Sequence, residues 1–210
     1  MGLISVLMKD PAIFIALVVT LIFSLVLHEI AHGYVAYKCG DMTAYHQGRL
    51  TLNPLAHLDP IGSLMILFIG FGWAKPVPVN MLNLKNPDKD MVKVAMAGPA
   101  TNFLLSILCL FIWKLMLVMS MDISPGIITF FSIFMYINLA LCIFNLLPIP
   151  PLDGSRLLSY EVQYKFQRYG PIFLFGLIIL GNVSNLNVIG SIMDFLINPF
   201  IDVFEAFLKL

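Results

Sequence analysis

The stretch PAIFIALVVTLIFSLVLHEIAHGYVAY, residues 11–37, decides the fold, because Glu29 is its only formal charge. A helix needs about 20 mostly apolar residues to cross a bilayer, so this stretch reads as a spanning helix. It has no small-residue cleavage site of the signal-peptide kind, and it holds the most informative residues in the chain, so it is expected to be retained. The rest of the 210 residues agree with a membrane setting: 60% are hydrophobic, 11% are charged, and the mean hydropathy is +0.92. Soluble domains carry about 45–50% apolar and about 25% charged residues, so a water-soluble globule is excluded, and disorder with it. Twelve basic residues balance twelve acidic ones, and no basic patch points to nucleic acid. Cys39, Cys109 and Cys142 form neither a CxxC pair nor an even disulfide framework.

Working outward, residues 94–113 are uncharged and the apolar character continues past Lys114 to Met121. Residues 123–152 are also uncharged, with Pro148, Pro150 and Pro151 ending a helix near Leu147. Residues 169–193 read as one short span, a polar turn at Asn182, Ser184, Asn185 and Asn187, and a last helix running towards Phe207. Residues 60–74 are uncharged but only 15 long, contain Gly62, Gly70 and Gly72, and end in Lys75-Pro76. That is too short to cross, so the segment is expected to dip in and return. Two pieces read as extended. Residues 43–53 (TAYHQGRLTLN) suggest a small β-hairpin around Gln47-Gly48, and PVPVN at 76–80 is held extended by its prolines. A helical substrate hides its peptide bonds, and a sheet edge is one way to hold it unwound. The expectation is an all-α polytopic membrane protein with about five transmembrane helices, a re-entrant segment and a membrane-associated β-hairpin. It forms a single domain over 1–210, with a catalytic core at about 11–155 and C-terminal helices at about 156–210.

Inside the first span stands His28-Glu29-Ile30-Ala31-His32, an HExxH. Residues four apart lie on one helix face, so both imidazoles can bind one metal ion. Glu29 can then meet a metal-activated water as general base. An acidic residue at mid-span costs roughly 2.5–3.5 kcal/mol on insertion scales, which makes an intramembrane carboxylate a functional candidate by default. Catalytic zinc sites typically use three protein ligands, and the sequence offers His46, His57, Asp59, Asp122 and Asp153 for the third. Asp153 follows the proline-broken end of the 127–147 helix, where a helix N-cap would explain it equally well. His57 with Asp59 is either a second metal pair or part of a polar connector.

HEIAH at 28–32, AGPATN at 97–102, NLLPIPPLDG at 145–154 and NPLAHLDPIG at 53–62 appear in this order. In these motifs the chain resembles the site-2 proteases, the intramembrane zinc metalloproteases, over essentially its whole length. The resemblance implies one Zn2+ per chain held by His28, His32 and Asp153, with Glu29 as catalytic base. It also implies that Asn145 steadies the oxyanion or the substrate backbone, although an asparagine there would also serve as an interhelical hydrogen bond. The substrate it implies is the transmembrane segment of another membrane protein, cleaved within or near the lipid. The PDZ or CBS domains of larger relatives have no counterpart in these 210 residues. Asn102 is read as a packing residue that lets helices approach closely.

Topology follows from parity. If Asp153 meets His28 and His32, the chain crosses an even number of times between them; 94–121 and 127–147 supply two crossings, so 60–74 must return. Lys38, Arg49, Lys75, Lys85, Lys89 and Lys93 then share a side with Arg156, Lys165 and Arg168, while the opposite connection holds only Asp122. By the positive-inside rule that side is cytoplasmic. His28 lies about 25 Å along the helix from Pro11, so the site of this multi-pass cell-membrane protein is expected near the cytoplasmic face. The alternative reading is a divalent-cation transporter using the HExxH helix as a metal site. It calls for further ligands in the neighbouring spans, and those spans hold no His, Asp or Glu.

Overall fold

The computed structural model describes residues 2–183 and 188–209. Its helices are α1 Leu3–Lys9, α2 Pro11–Lys38, α3 Thr43–His46, α4 Pro60–Ile69, α5 Pro87–Val118, α6 Pro125–Leu146, α7 Tyr160–Gln167, α8 Gly170–Val183 and α9 Val188–Lys209. Short 3-10 turns occupy Pro54–Ala56, Met81–Asn83 and Asp153–Leu157. Local chemistry sets the boundaries of the long helices. Asp10 accepts from the N–H groups of Ala12 and Ile13, and Pro11 takes the first helical position of α2. Pro87 opens α5, with Asp88 and Asp90 in its positive first turn, and Pro125 opens α6.

Among the described residues three helices, α2, α5 and α6, are long and apolar enough to cross a membrane. The other two of the about five expected are the shorter α8 and the more charged α9. α8 is 14 residues long, short of the roughly 20 a crossing needs. α9 exposes Asp194, Asp202 and Glu205 along one side and buries Ile197 and Phe204 against α5 and α6; it is an amphipathic helix laid on the bundle. Of the expected polar turn, residues 184–187 lie outside the described residues.

The expected β-hairpin at 43–53 is absent. Among the described residues the only bridge is an isolated one between Leu58 and Ala74. Asp41 accepts from the Thr43 N–H and hydroxyl and starts α3 instead. The turn read as a hairpin is a helix C-cap: Gly48 sits at φ 64, its N–H bonds the Tyr45 carbonyl, and the Arg49 N–H reaches back to Ala44. Residues 76–80 are extended without strand pairing.

Residues 60–74 go out and come back. Ten helical residues span about 15 Å, half of a hydrocarbon core. The helix ends at Gly70, φ 85. The return leg is so close that a Cβ on Gly62 would sit 2.1 Å from the Trp73 carbonyl oxygen. At the base, the Lys75 N–H donates to the His57 carbonyl at 2.8 Å. The bundle core is α5 packed between α2 and α6. Its buried faces are lined by polar as well as apolar side chains: Thr20, Ser24, His28 and His32 from α2, Asn102 and Ser106 from α5, and Asn138 from α6.

Candidate metal centre

His28 and His32, one turn apart on α2, project their Nε2 atoms to 3.0 Å from each other. Asp153, at the start of the 3-10 turn that follows α6, brings its Oδ2 to 3.2 Å from both. The break after α6 makes this possible: three prolines in LPIPP stop the helix and turn the chain back over the bundle. The turn packs so tightly that a Cβ on Gly154 would lie 2.2 Å from the Leu146 carbonyl oxygen.

Hydrogen bonds at the far side of each ring fix the tautomer of its neutral form. His32 Nδ1 lies 2.7 Å from the Val94 carbonyl oxygen, which only accepts, so Nδ1 carries the hydrogen. The argument for His28 runs through two amides. The Phe134 carbonyl accepts from Asn138 Nδ2 at 2.9 Å, which turns Asn138 Oδ1 towards Asn102 Nδ2 at 3.0 Å. Asn102 Oδ1 therefore faces His28 Nδ1, 2.6 Å away, and accepts from it. In the neutral rings both Nε2 atoms are left as bare lone pairs, and both point at a carboxylate oxygen.

Three acceptors within 3.2 Å with no hydrogen among them repel one another unless a cation lies between. Asp153 Oδ2 is buried and has no hydrogen-bond donor. Ligands at about 2.0–2.1 Å on a tetrahedral zinc stand about 3.3 Å apart, within a few tenths of the distances seen. The donor set, two imidazole nitrogens and one carboxylate oxygen, suits zinc. On the α5 side the cradle is walled by Gly98, where a Cβ would lie 2.4 Å from His32 Nε2 and 2.5 Å from His28 Nε2. His28, His32 and Asp153 form the one such group of three found among the described residues.

The other candidates are placed elsewhere. His57 is buried and its Nε2–H donates to the Thr51 carbonyl at 2.8 Å. Asp59 accepts from the Gly62 N–H and caps α4. Together they serve the connector. His46 and Asp122 are exposed. Asn145 Nδ2 donates to the Leu141 carbonyl of its own helix, so the interhelical asparagine of α6 is Asn138. Glu29 Oε2 accepts from the Val77 N–H at 2.8 Å. Asn102 does more than let helices approach: it orients the His28 ring. The signal available in the sequence was a polar amide in the middle of an apolar span, which in lipid must have a partner.

An α-helical membrane bundle with a two-histidine, one-carboxylate cluster beside a glutamate defines a membrane metallohydrolase. The comparisons specify which. The description Peptidase family M50 matches residues 114–180, the part that contains Asp153. The chain is 52% identical over 147 residues to "Putative zinc metalloprotease YwhC" of Bacillus subtilis (strain 168), covering 68% of this chain and 67% of that one. It is 29% identical over 161 residues to the similarly described Rip2 of Mycolicibacterium smegmatis, covering 74% and 61%. To "Zinc metalloprotease MJ0392" of Methanocaldococcus jannaschii it is 28% identical over 165 residues, covering 78% of this chain and 40% of that one. The chain thus spans between two fifths and two thirds of the length of these relatives. No solved structure matches it. The chain belongs to peptidase family M50, the site-2 protease family, and is a zinc metalloprotease.

Proposed function

We propose that this chain hydrolyses a peptide bond within or next to the transmembrane segment of a membrane-protein substrate. One zinc ion per chain sits on His28, His32 and Asp153, and Glu29 is the catalytic base. The observation that carries the reading is the trio of bare acceptor atoms, 3.0–3.2 Å apart, built on the end of a spanning helix. Zinc, when bound, polarises the scissile carbonyl and makes hydroxide available near neutral pH. Glu29 takes one proton from the attacking water as its oxygen bonds to the carbonyl carbon. It returns that proton to the nitrogen as the C–N bond breaks, leaving an amine and a carboxylic acid that releases the second water proton to solvent. Asn145, in the last turn of α6 and eight residues before Asp153, is the nearest asparagine in sequence to offer an amide to the oxyanion or substrate backbone once released from Leu141.

Depth follows from the same reading. α5 and α6 are the two crossings between the HExxH helix and Asp153, and 60–74 is a re-entrant segment whose ends meet at Leu58 and Ala74. The lysine- and arginine-rich connections then share the cytoplasmic side, and the site lies near that face of the cell membrane. A cation carrier would need ligands continuing along a path, whereas beyond the first turns of α5 the neighbouring spans, over residues 94–118 and 125–146, supply amides that orient a ring and no further carboxylate or imidazole.

The test is reconstitution of the purified protein in liposomes with a single-span substrate, the products mapped by mass spectrometry. Cleavage within or a few residues outside the apolar segment, abolished in Asp153→Ala together with zinc binding, is expected. Cleavage confined to a distant soluble region, or full zinc occupancy in a folded Asp153→Ala protein, overturns the proposal.

A further inference from the structure

The strap formed by residues 75–80 has a use beyond connecting α4 to α5. In Lys75-Pro76-Val77-Pro78-Val79-Asn80 the two prolines carry no N–H. Val77 therefore owns the only backbone donor between Lys75 and Val79. That donor goes to Glu29 Oε2, at 2.8 Å. The prolines also fix φ on either side and leave no competing donor that a small slide of the strap could substitute.

Both ends of the strap are tied down by buried charged groups. At the entry, the buried Arg49 donates from its guanidinium to the Lys75 carbonyl at 2.7 Å, and the Lys75 N–H donates to His57. At the exit, the fully buried Asp41 accepts from the Asn80 N–H at 2.7 Å and from Asn83 Nδ2 at 3.0 Å. In the middle the strap lies on the α2 face that carries Gly33, one turn beyond Glu29. A Cβ there would come 2.9 Å from Val77 Cγ1 and 2.6 Å from Leu50 Cδ2. A buried Arg, a buried Asp and a glycine notch thus hold one amide against one carboxylate oxygen.

The geometry points to Val77 as the positioning residue of the catalytic base: its main-chain N–H occupies Glu29 Oε2 and leaves Oε1 as the oxygen that exchanges the proton. This rests on Glu29 being the base. A carboxylate on a flexible two-carbon stem samples many rotamers. A charge-assisted hydrogen bond from a rigid main chain selects one, which is the preorganisation proton transfer needs. The strap is therefore a fixed part of the catalytic apparatus. A strap that bound substrate would keep that amide free, and a gate would lift off the glutamate before turnover.

The experiment uses the full chain in detergent with a single-span substrate and measures kcat, KM and bound zinc. Two changes remove the N–H: Val77→Pro, compatible with the extended strap, and an ester in place of the Pro76–Val77 amide, which keeps the isopropyl side chain. Both should lower kcat ten- to a hundredfold, leave KM within about twofold and leave zinc at one per chain. Val77→Ala, which keeps the N–H while losing the packing on Gly33, should recover kcat to within about threefold of wild type. The inference is overturned if the ester variant keeps wild-type kcat, if only KM rises (a substrate-binding edge), or if kcat increases (a gate). Glu29→Gln, run alongside, separates the two claims: if it still cleaves, the assignment of the base fails. If it is inactive while the ester variant is fully active, only the role of Val77 fails.

Discussion

Gly98→Ala probes the metal cradle with a single methyl group. The added Cβ would stand 2.4 Å from His32 Nε2 and 2.5 Å from His28 Nε2 and Cε1, whereas carbon contacts settle at about 3.5 Å or more. Something must therefore retreat by about 1 Å. The rings are poorly able to: each is held at its other nitrogen, His28 by Asn102 at 2.6 Å and His32 by the Val94 carbonyl at 2.7 Å. Zinc ligands tolerate displacements of about 0.2 Å, so the ligand triangle opens beyond what one ion can close. Zinc affinity should fall at least tenfold to a hundredfold, the range seen when ligand-orienting contacts are lost, and turnover by about a hundredfold. Overpacking should add about 1–3 kcal/mol of destabilisation, which a thermal midpoint in detergent would report separately. Gly126→Ala is the control, since a Cβ there meets nothing within 4 Å. Metal content by mass spectrometry and cleavage of a single-span substrate are the assays. A Gly98→Ala protein with one tightly held zinc and wild-type turnover would refute the cradle.

Two further outcomes follow from contacts outside the ligand set. Asn102→Ala removes the acceptor that fixes the His28 ring and strands Asn138, so zinc affinity in a chelator competition should drop roughly 10- to 100-fold with all three ligands intact. Asp41 gives a pH signature: burial pushes its carboxyl up, but hydrogen bonds from Thr43, Asn83 and Asn80 outweigh this and hold it below the usual carboxylate range. A depressed folded value means its stabilisation is complete above about pH 4, where the unfolded group ionises, and is lost as pH falls through the folded value. The thermal midpoint of the wild type should therefore fall more steeply below pH 4 than that of Asp41→Asn, which should be less stable by about 2–4 kcal/mol at neutral pH.

The parts legible in the sequence were those set by local spacing. The i, i+4 repeat of His28 and His32 defines one helix face, and unbroken apolar length identifies α2, α5 and α6. Pro-rich breakage after Leu146, together with the family resemblance, pointed to Asp153. Three glycines in a 15-residue apolar run marked a segment that returns, and in the structure its ends meet. What escaped were matters of which surface meets which. That Asn102 reaches His28, that Gly98 faces both imidazoles, and that Val77 meets Glu29 depend on the rotation of α5 and the course of the strap; neither leaves a periodic trace. The hairpin at 43–53 failed for a different reason. Its β-prone residues Thr43, Tyr45 and Thr51 outweighed, in a local reading, the Asp41 carboxylate that accepts from Thr43 and the left-handed Gly48, which together specify a short helix. In the C-terminal region the two expected helices are present as α8 and α9, but hydrophobicity alone does not show that α9 is amphipathic, with its charges on one side.

Turnover per bound zinc in Glu29→Gln tests the central claim most directly, since it removes the base while leaving His28, His32 and Asp153 in place. The account predicts one zinc per chain, as in the wild type, and cleavage reduced by about 10²- to 10⁴-fold, the contribution of general acid–base catalysis. A zinc-loaded Glu29→Gln protein that cleaves its substrate within tenfold of the wild-type rate would contradict it.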